Sequence, residues 1–242
     1  MVAPVPTLLL VRHGRTAANA SGVLAGRTPG VALDDSGATQ AAVLGQRLAG
    51  VPLARVVASP LERTVATARA LLAVGGTARR PRPDLVEEPR LLECDYGEWT
   101  GRGLRELAKE PHWKVVQGHP SAAQFPGGES LRDVQARALA AVREHDAAVA
   151  AEHGADAVWV AVSHGDVIKA VLADALGQHL DSFQRIVVDP ASVSVVRYTP
   201  LRPFVVRTND TGGDLSGLTP PPRRRRRAAA SSDAAVGGGA GA

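Results

Sequence analysis

The sequence predicts an α/β fold, a three-layer αβα sandwich around a mostly parallel sheet with an antiparallel edge strand late in the chain. Three observations predict it. Residues 8–11 (Leu-Leu-Leu-Val) and 158–162 (Val-Trp-Val-Ala-Val) are short continuous apolar runs, the pattern of strands buried on both faces. Stretches with helical spacing of apolar residues lie between such runs, which is the alternation of a layered α/β domain. Residues 192–198 alternate small polar residues with valine, and 204–207 follow across a turn at 200–203, as in a hairpin.

Taken in order, the strand at 8–11 leads directly into Arg12, His13 and Gly14. Residues 20–31 are rich in glycine and small side chains and read as a loop. Asp34 and Asp35 are good caps for a helix over about 36–49, with Ala41, Leu44 and Leu48 along one face. Val51-Pro52 ends it, and 54–58 reads as a short strand. Ser59-Pro60-Leu61-Glu62 has capping-box spacing with proline at the first helical position, predicting a helix from there to about Leu72. Arg63 then falls in the first turn, beside free amides that attract anions. Leu85-Val86 and Leu91-Leu92 read as short extended pieces, 93–99 as an acidic turn-rich segment, and 104–110 as one or two helical turns. Residues 112–128 read as an irregular excursion. Val134, Ala138, Ala141, Val142 and Val149 mark a long helix over 131–149. The strand at 158–162 ends in Ser163-His164-Gly165, followed by a helix over about 166–176.

Composition narrows the class. At 242 residues the chain can bury a sizeable core, and with aromatics at 3% aliphatic side chains are expected to fill it. The single cysteine, Cys94, excludes an internal disulfide framework and suits a reducing compartment. No apolar run approaches a membrane span, and residues 1–7 lack the pattern of a secretory signal, so a cytoplasmic protein without a membrane partner is expected. Five arginines at 223–227 against Asp233 give the segment from Pro220 the whole net charge of +4, leaving residues 1–219 formally neutral. The chain therefore divides into a domain over 1–211 and a disordered Arg/Ala/Gly-rich tail over 212–242, too poor in apolar residues to order itself. Nucleic acid is not an expected partner of the domain; nucleic acid or an acidic partner bound by the arginine run at 223–227 is the alternative to a solvated tail.

The chemistry sits at the strand ends. Of seven histidines, His13 and His164 each follow a buried strand and precede glycine, at the sheet edge where α/β proteins bind ligands. His153 also precedes glycine but lies in a polar helix-to-strand connection, and His112, His119, His145 and His179 fall in loops or on polar helix faces and read as solvated. A zinc site would want a third and fourth ligand, and neither a His-Glu-x-x-His motif nor a second cysteine is present. Phosphate fits better, because guanidinium groups bind its oxygens as a fork.

With these residues in place, the chain resembles the histidine phosphatase superfamily, phosphoglycerate mutase-like in fold, over roughly residues 7–208. The resemblance rests on Arg12-His13-Gly14 with Thr16 and Asn19; on Leu33, Gly37 and Gln40; on Ser59 to Thr64 with Thr67; on Leu92-Glu93 with Tyr96-Gly97-Glu98-Trp99 and Gly101; and on Ser163-His164-Gly165. It implies that His13 is the nucleophile and forms a phosphohistidine. It implies that Arg12, Arg63 and His164 surround the transferring phosphoryl group and that Glu93 is the proton donor, with Asp95 and Glu98 as neighbouring acids. Thr16, Asn19 and Gly165 are expected to join Arg12, Arg63 and His164 in holding substrate. No metal or organic cofactor is implied. The family includes monomers and dimers, which leaves a homodimer open.

The resemblance also bears on the reaction. Mutases of the family carry a long insertion with paired arginines for the substrate carboxylate, whereas here that stretch holds Arg102, Arg105, Lys109 and Lys114 without a pair. Arg15 stands where those mutases usually have an acid, and Pro126-Gly127-Gly128-Glu129-Ser130 looks like a segment of the broad-specificity phosphatases. The expected activity is hydrolysis of small phosphorylated metabolites. A phosphoglycerate mutase-type phosphomutase and a non-catalytic phospho-ligand binding or scaffold protein are the alternatives. Ala17, Ala18, Val23, Leu24 and the 112–128 excursion are expected to line or cover the pocket, with Arg15 and Arg27 adding charge at its mouth.

Overall fold

The computed structural model describes residues 5–78 and 81–212, and the Arg-rich tail lies outside the described residues. In chain order the elements are β1 (Thr7–Arg12), α1 (Ala17–Ser21), α2 (Asp35–Arg47), β2 (Leu53–Ala58), α3 (Glu62–Leu72), β3 (Leu85–Glu87), α4 (Leu104–Leu107), α5 (Trp113–Gly118), α6 (Leu131–His153), β4 (Val158–Ser163), α7 (Gly165–Ala175), β5 (Val193–Tyr198) and β6 (Pro203–Asp210). They build one sheet in the order β3-β2-β4-β1-β5-β6. The first four strands run parallel; β5 is antiparallel to both β1 and β6. The late antiparallel edge is thus a pair of strands.

Side chains on a strand point alternately to opposite faces, and the apolar runs use both. Leu9, Val11, Val160 and Val162 face a core closed by Leu44 of α2 and by Ala68 and Leu71 of α3. Leu8, Leu10, Trp159 and Ala161 face the other core, closed by Val134, Ala138 and Val142 of α6 and by Val167 and Val171 of α7. Two buried faces explain why these strands read as unbroken apolar runs. Each fully buried Val, Leu or Ile contributes about 1.5–3 kcal/mol. The core is aliphatic on the α2/α3 side, as expected. On the α6/α7 side the few aromatics gather: Tyr96, Trp99, Trp113 and Phe125 meet edge-on or stacked at 5.0–6.0 Å between ring centres.

Several local expectations are corrected. Ser59 is not the cap of α3; that position is Leu61, which makes no side-chain cap, because the Ser59 hydroxyl is engaged by His164 at 2.8 Å. Glu62 accepts instead from the Gly30 amide at 2.8 Å. Residues 89–91 form a 3-10 turn rather than an extended piece, opened by the Glu88 side chain. The 112–128 stretch is more regular than expected, holding α5 and a 3-10 turn over Pro120–Ala122. His145 is not solvated: it is half-buried, bonded to Glu88 at 3.1 Å and packed on Trp159. His112 is half-buried against Trp99. Among the described residues no helix is long and apolar enough to cross a membrane.

Candidate active site

The register of the parallel strands assembles the site. Arg12 at the end of β1 pairs with Ser163 at the end of β4, and Ala58 at the end of β2 pairs with Val162. The next residues on three neighbouring strands are therefore His13, His164 and Ser59, all at the carboxyl edge. Ring centres of His13 and His164 lie 5.2 Å apart.

The His13 loop is held from several sides. Gly37 of α2 sits against the backbone of Arg15 so closely that any β-carbon there would collide with it, and a β-carbon on Gly14 would strike Gly37 in turn. Gln40 accepts from the Arg15 amide at 2.9 Å, and Thr67 of α3 accepts from the Gly14 amide at 3.0 Å. The glycine, glutamine and threonine of the sequence blocks are the frame of this loop. Thr16 caps α1 reciprocally with Asn19, whose side-chain oxygen accepts from the Thr16 amide at 3.1 Å.

His13 Nδ1 lies 2.7 Å from the Gly14 carbonyl, which can only accept, so the proton is on Nδ1 and Nε2 keeps a lone pair. Arg63 Nε donates to that Nε2 at 3.3 Å, while Arg63 Nη2 is tied to the Gly26 carbonyl at 2.7 Å. Burial, and then the charges of Arg63 and Arg12, hold the His13 pKa well below the ordinary imidazole value. His164 is depressed by burial and by Arg63, His13 and Arg12. Both rings are neutral at physiological pH. Arg63 Nη1 and His164 Nδ1 are buried without hydrogen-bond partners in the structure, an uncommon cost for polar atoms unless a ligand meets them.

Glu93 is buried in the cavity wall, and one of its oxygens accepts from the Cys94 amide at 3.0 Å. Burial, then the charge of Asp166, push its pKa up to about 7, against the opposing pull of Arg63 and Arg12. Its loop is clamped from behind: Arg27 and Arg137 donate to the Glu93 carbonyl at 2.9 and 3.2 Å, and Glu129 joins the two guanidiniums. Glu98, by contrast, is exposed, and Asp95 accepts from the Gly97 amide.

The cavity, about 480 Å³, is lined by His13, Thr16, Asn19, Arg63 and Glu93 of the expected set, with Ala18, Val23 and Leu24. Arg12, His164 and Gly165 are buried and do not form its surface. Arg12 donates to the Val188 carbonyl at 2.8 Å. Four expectations about the lining and mouth are corrected. Ala17 and residues 112–128 are not among the lining residues; Leu104 and Arg105 close the wall, because the 101–104 backbone is laced to Gly22 and Leu24. Arg15 pairs with Asp34 at 2.9 Å, and Arg27 is spent behind Glu93, so neither supplies charge to the mouth. The roles of Tyr96, named only as part of a matched block, and of Asp166 are not read from the sequence: Tyr96 lines the cavity and donates to buried Asp166 at 2.8 Å, with Lys169 3.7 Å from that carboxylate. An acid and a lysine one turn apart on an apolar helix were the available signal.

Two neutral imidazoles, a buried guanidinium and a carboxyl poised near neutrality, on the carboxyl edge of a doubly covered sheet, define a site for phosphoryl chemistry. The chain belongs to the histidine phosphatase superfamily (branch 1), whose family model matches residues 8–211. Phosphoserine phosphatase 1 of Hydrogenobacter thermophilus is 31% identical over 84% of this chain and 92% of its own length. A probable phosphoglycerate mutase of Proteus mirabilis is 29% identical over 87% and 94%. Among solved structures, YhfR of Bacillus stearothermophilus superposes with a TM-score of 0.74 at 27% identity, covering 85% of this chain and 97% of that one.

Proposed function

We propose that the protein hydrolyses small phosphomonoesters through a phosphohistidine on His13. The observation that carries this reading is the state of His13: neutral, protonated on Nδ1 by its bond to Gly14, with the Nε2 lone pair facing Arg63. The Nε2 lone pair forms the N–P bond as the ester P–O bond breaks, and Arg63 moves its Nε–H from the ring to a phosphoryl oxygen. Arg12 stabilises the charge on that group, and His164, with a proton on Nδ1 when Ser59 donates to Nε2, offers a further donor. Glu93, half protonated near pH 7, gives its proton to the leaving alkoxide. It then takes a proton from the water that attacks phosphorus, the N–P bond breaks, and neutral His13 and phosphate remain. Thr16 is mostly spent on capping α1, which leaves the Asn19 amide nitrogen as the donor end toward substrate. A cytoplasmic location belongs to the same reading, with the single, free and buried Cys94 suited to a reducing compartment.

The test is phosphate release from a panel of phosphomonoesters, wild type beside His13→Ala, in chelator. Release by wild type that disappears in the variant is expected. Equal release by both would overturn the phosphohistidine, and conversion of 3-phosphoglycerate to 2-phosphoglycerate without release would make the protein a mutase.

A further inference from the structure

Glu93 must bring its proton to the leaving oxygen while Arg63 and His13 hold the phosphoryl group. Its carboxyl accepts a single backbone bond, from the Cys94 amide, so its aim depends on how the surrounding loop is held. One anchor of that loop is the turn at 125–130. The Glu129 amide donates to the Asp95 carbonyl at 2.8 Å, and the Glu98 amide to the Pro126 carbonyl at 2.9 Å. Gly97 and Gly128 let the two backbones touch, since a β-carbon on either would strike the facing chain.

The other anchor is Arg27, which starts from the phosphate side. The carbonyl of buried Gly26 accepts from Arg63 Nη2 at 2.7 Å, which fixes the backbone next to Arg27. From there the Arg27 guanidinium reaches the acid loop: Nε donates to the Glu93 carbonyl and Nη2 to the Glu129 carboxylate, each at 2.9 Å. Arg137 of α6 donates to the same two groups and to the Arg90 carbonyl. The Glu129 side chain, only 15% exposed, is therefore shared by two guanidiniums. A planar fork bonded at two of its donors holds an angle as well as a distance. Arg27 itself is not among the residues lining the cavity.

We infer that Arg27 is a positioning residue for proton transfer: oriented by Glu129, it fixes the Glu93 carboxyl in register with the phosphoryl group that Arg63 holds. The inference rests on the phosphohistidine reading, in which Glu93 protonates the leaving alkoxide. Displacing a catalytic group by about 1 Å can cost about 10²-fold. That loss falls on esters whose leaving oxygen needs the proton, because an acidic phenol departs without one.

The experiment compares kcat/KM, which reports the steps up to phosphoenzyme formation, for glycerol 3-phosphate and p-nitrophenyl phosphate. Arg27→Met keeps the aliphatic stem and removes every donor, while Arg137 still holds Glu129. It should lose about tenfold or more further on the alkyl ester than on the aryl ester, and Arg27→Lys should lose less of that ratio. A purely structural role would lower both esters alike. Glu93→Gln should shift the ratio in the same direction, and adding Arg27→Met to it should cost the alkyl ester nothing more, since the group Arg27 acts through is already gone. A ratio unmoved in Arg27→Met, or a full further loss in the double variant, overturns the assignment; if Arg27→Met does not fold, a ratio unmoved in Arg27→Lys does the same. The controls separate the failures. Release that survives His13→Ala, or a ratio unmoved in Glu93→Gln, overturns the reaction as read and the inference with it. A ratio that moves in Glu93→Gln and not in Arg27→Met overturns Arg27 alone.

Discussion

Glu88 and Glu93 are five residues apart, both buried, and their carboxyl groups are driven in opposite directions. Glu88 accepts from the Arg90 amide and guanidinium at 2.6–3.0 Å and from His145 at 3.1 Å. The Arg90 side chain leads in lowering its pKa to about 2. Glu93 accepts one short backbone bond, and burial with the charge of Asp166 raises it to about 7. Burial alone does not set a carboxyl's state; what decides it is whether donors replace the water that burial removed. At Glu88 they do, and the ion ties β3 to α6. At Glu93 they mostly do not, so a proton stays within reach of pH 7. Each shift corresponds to about 3 kcal/mol, stabilising in the first case and a cost to the ionised fold in the second.

The comparison can be broken by exchanging either carboxyl for an amide. Glu93→Gln should lower kcat by about 10²–10⁴-fold, read in a steady-state assay, while Glu98→Gln at the exposed neighbour should leave it within twofold. Because the folded pKa of Glu93 is raised, wild type loses stability as pH rises from the ordinary glutamate range through about 7. The variant should accordingly melt no lower than wild type at pH 8, and a lower melting temperature there would contradict the assigned state. Glu88→Gln should do the reverse, sparing kcat but costing up to about 3 kcal/mol at pH 7. The folded pKa of Glu88 is depressed, so its contribution is present above the ordinary glutamate value and disappears as pH falls toward 2. Denaturant melts at pH 7 and pH 3 should therefore differ in how far the variant trails wild type. The smallest effect is expected from Asp166→Asn, which removes the charge that helps hold Glu93 protonated. The alkaline fall in kcat should move to lower pH, and a pH profile unmoved by the variant would leave burial as the whole cause.

What the sequence by itself determined was the strands, the longer helices and the chemistry at two strand ends, while the short helices α1 and α5 were not foreseen. Unbroken apolar runs at 8–11 and 158–162 foretold strands covered on both faces, and helical spacing placed α2, α6 and α7 within a few residues. Histidine and arginine at the ends of such strands pointed to an anion site, since sheet edges of this kind lie together. These signals are local and periodic, and they survive in one dimension. The assignment of Ser59 failed because its cap spacing was a local signal outbid by a partner, His164, 105 residues away. Arg15 and Arg27 failed for the same reason: their charge is neutralised by Asp34 and by Glu129, and only contact reveals that.

Tertiary structure alone decided which carboxyl stays protonated, which arginines face the cavity, and that Tyr96 lines it with Asp166 buried behind. Those properties depend on distance and on the removal of water, and a chain read in order carries neither.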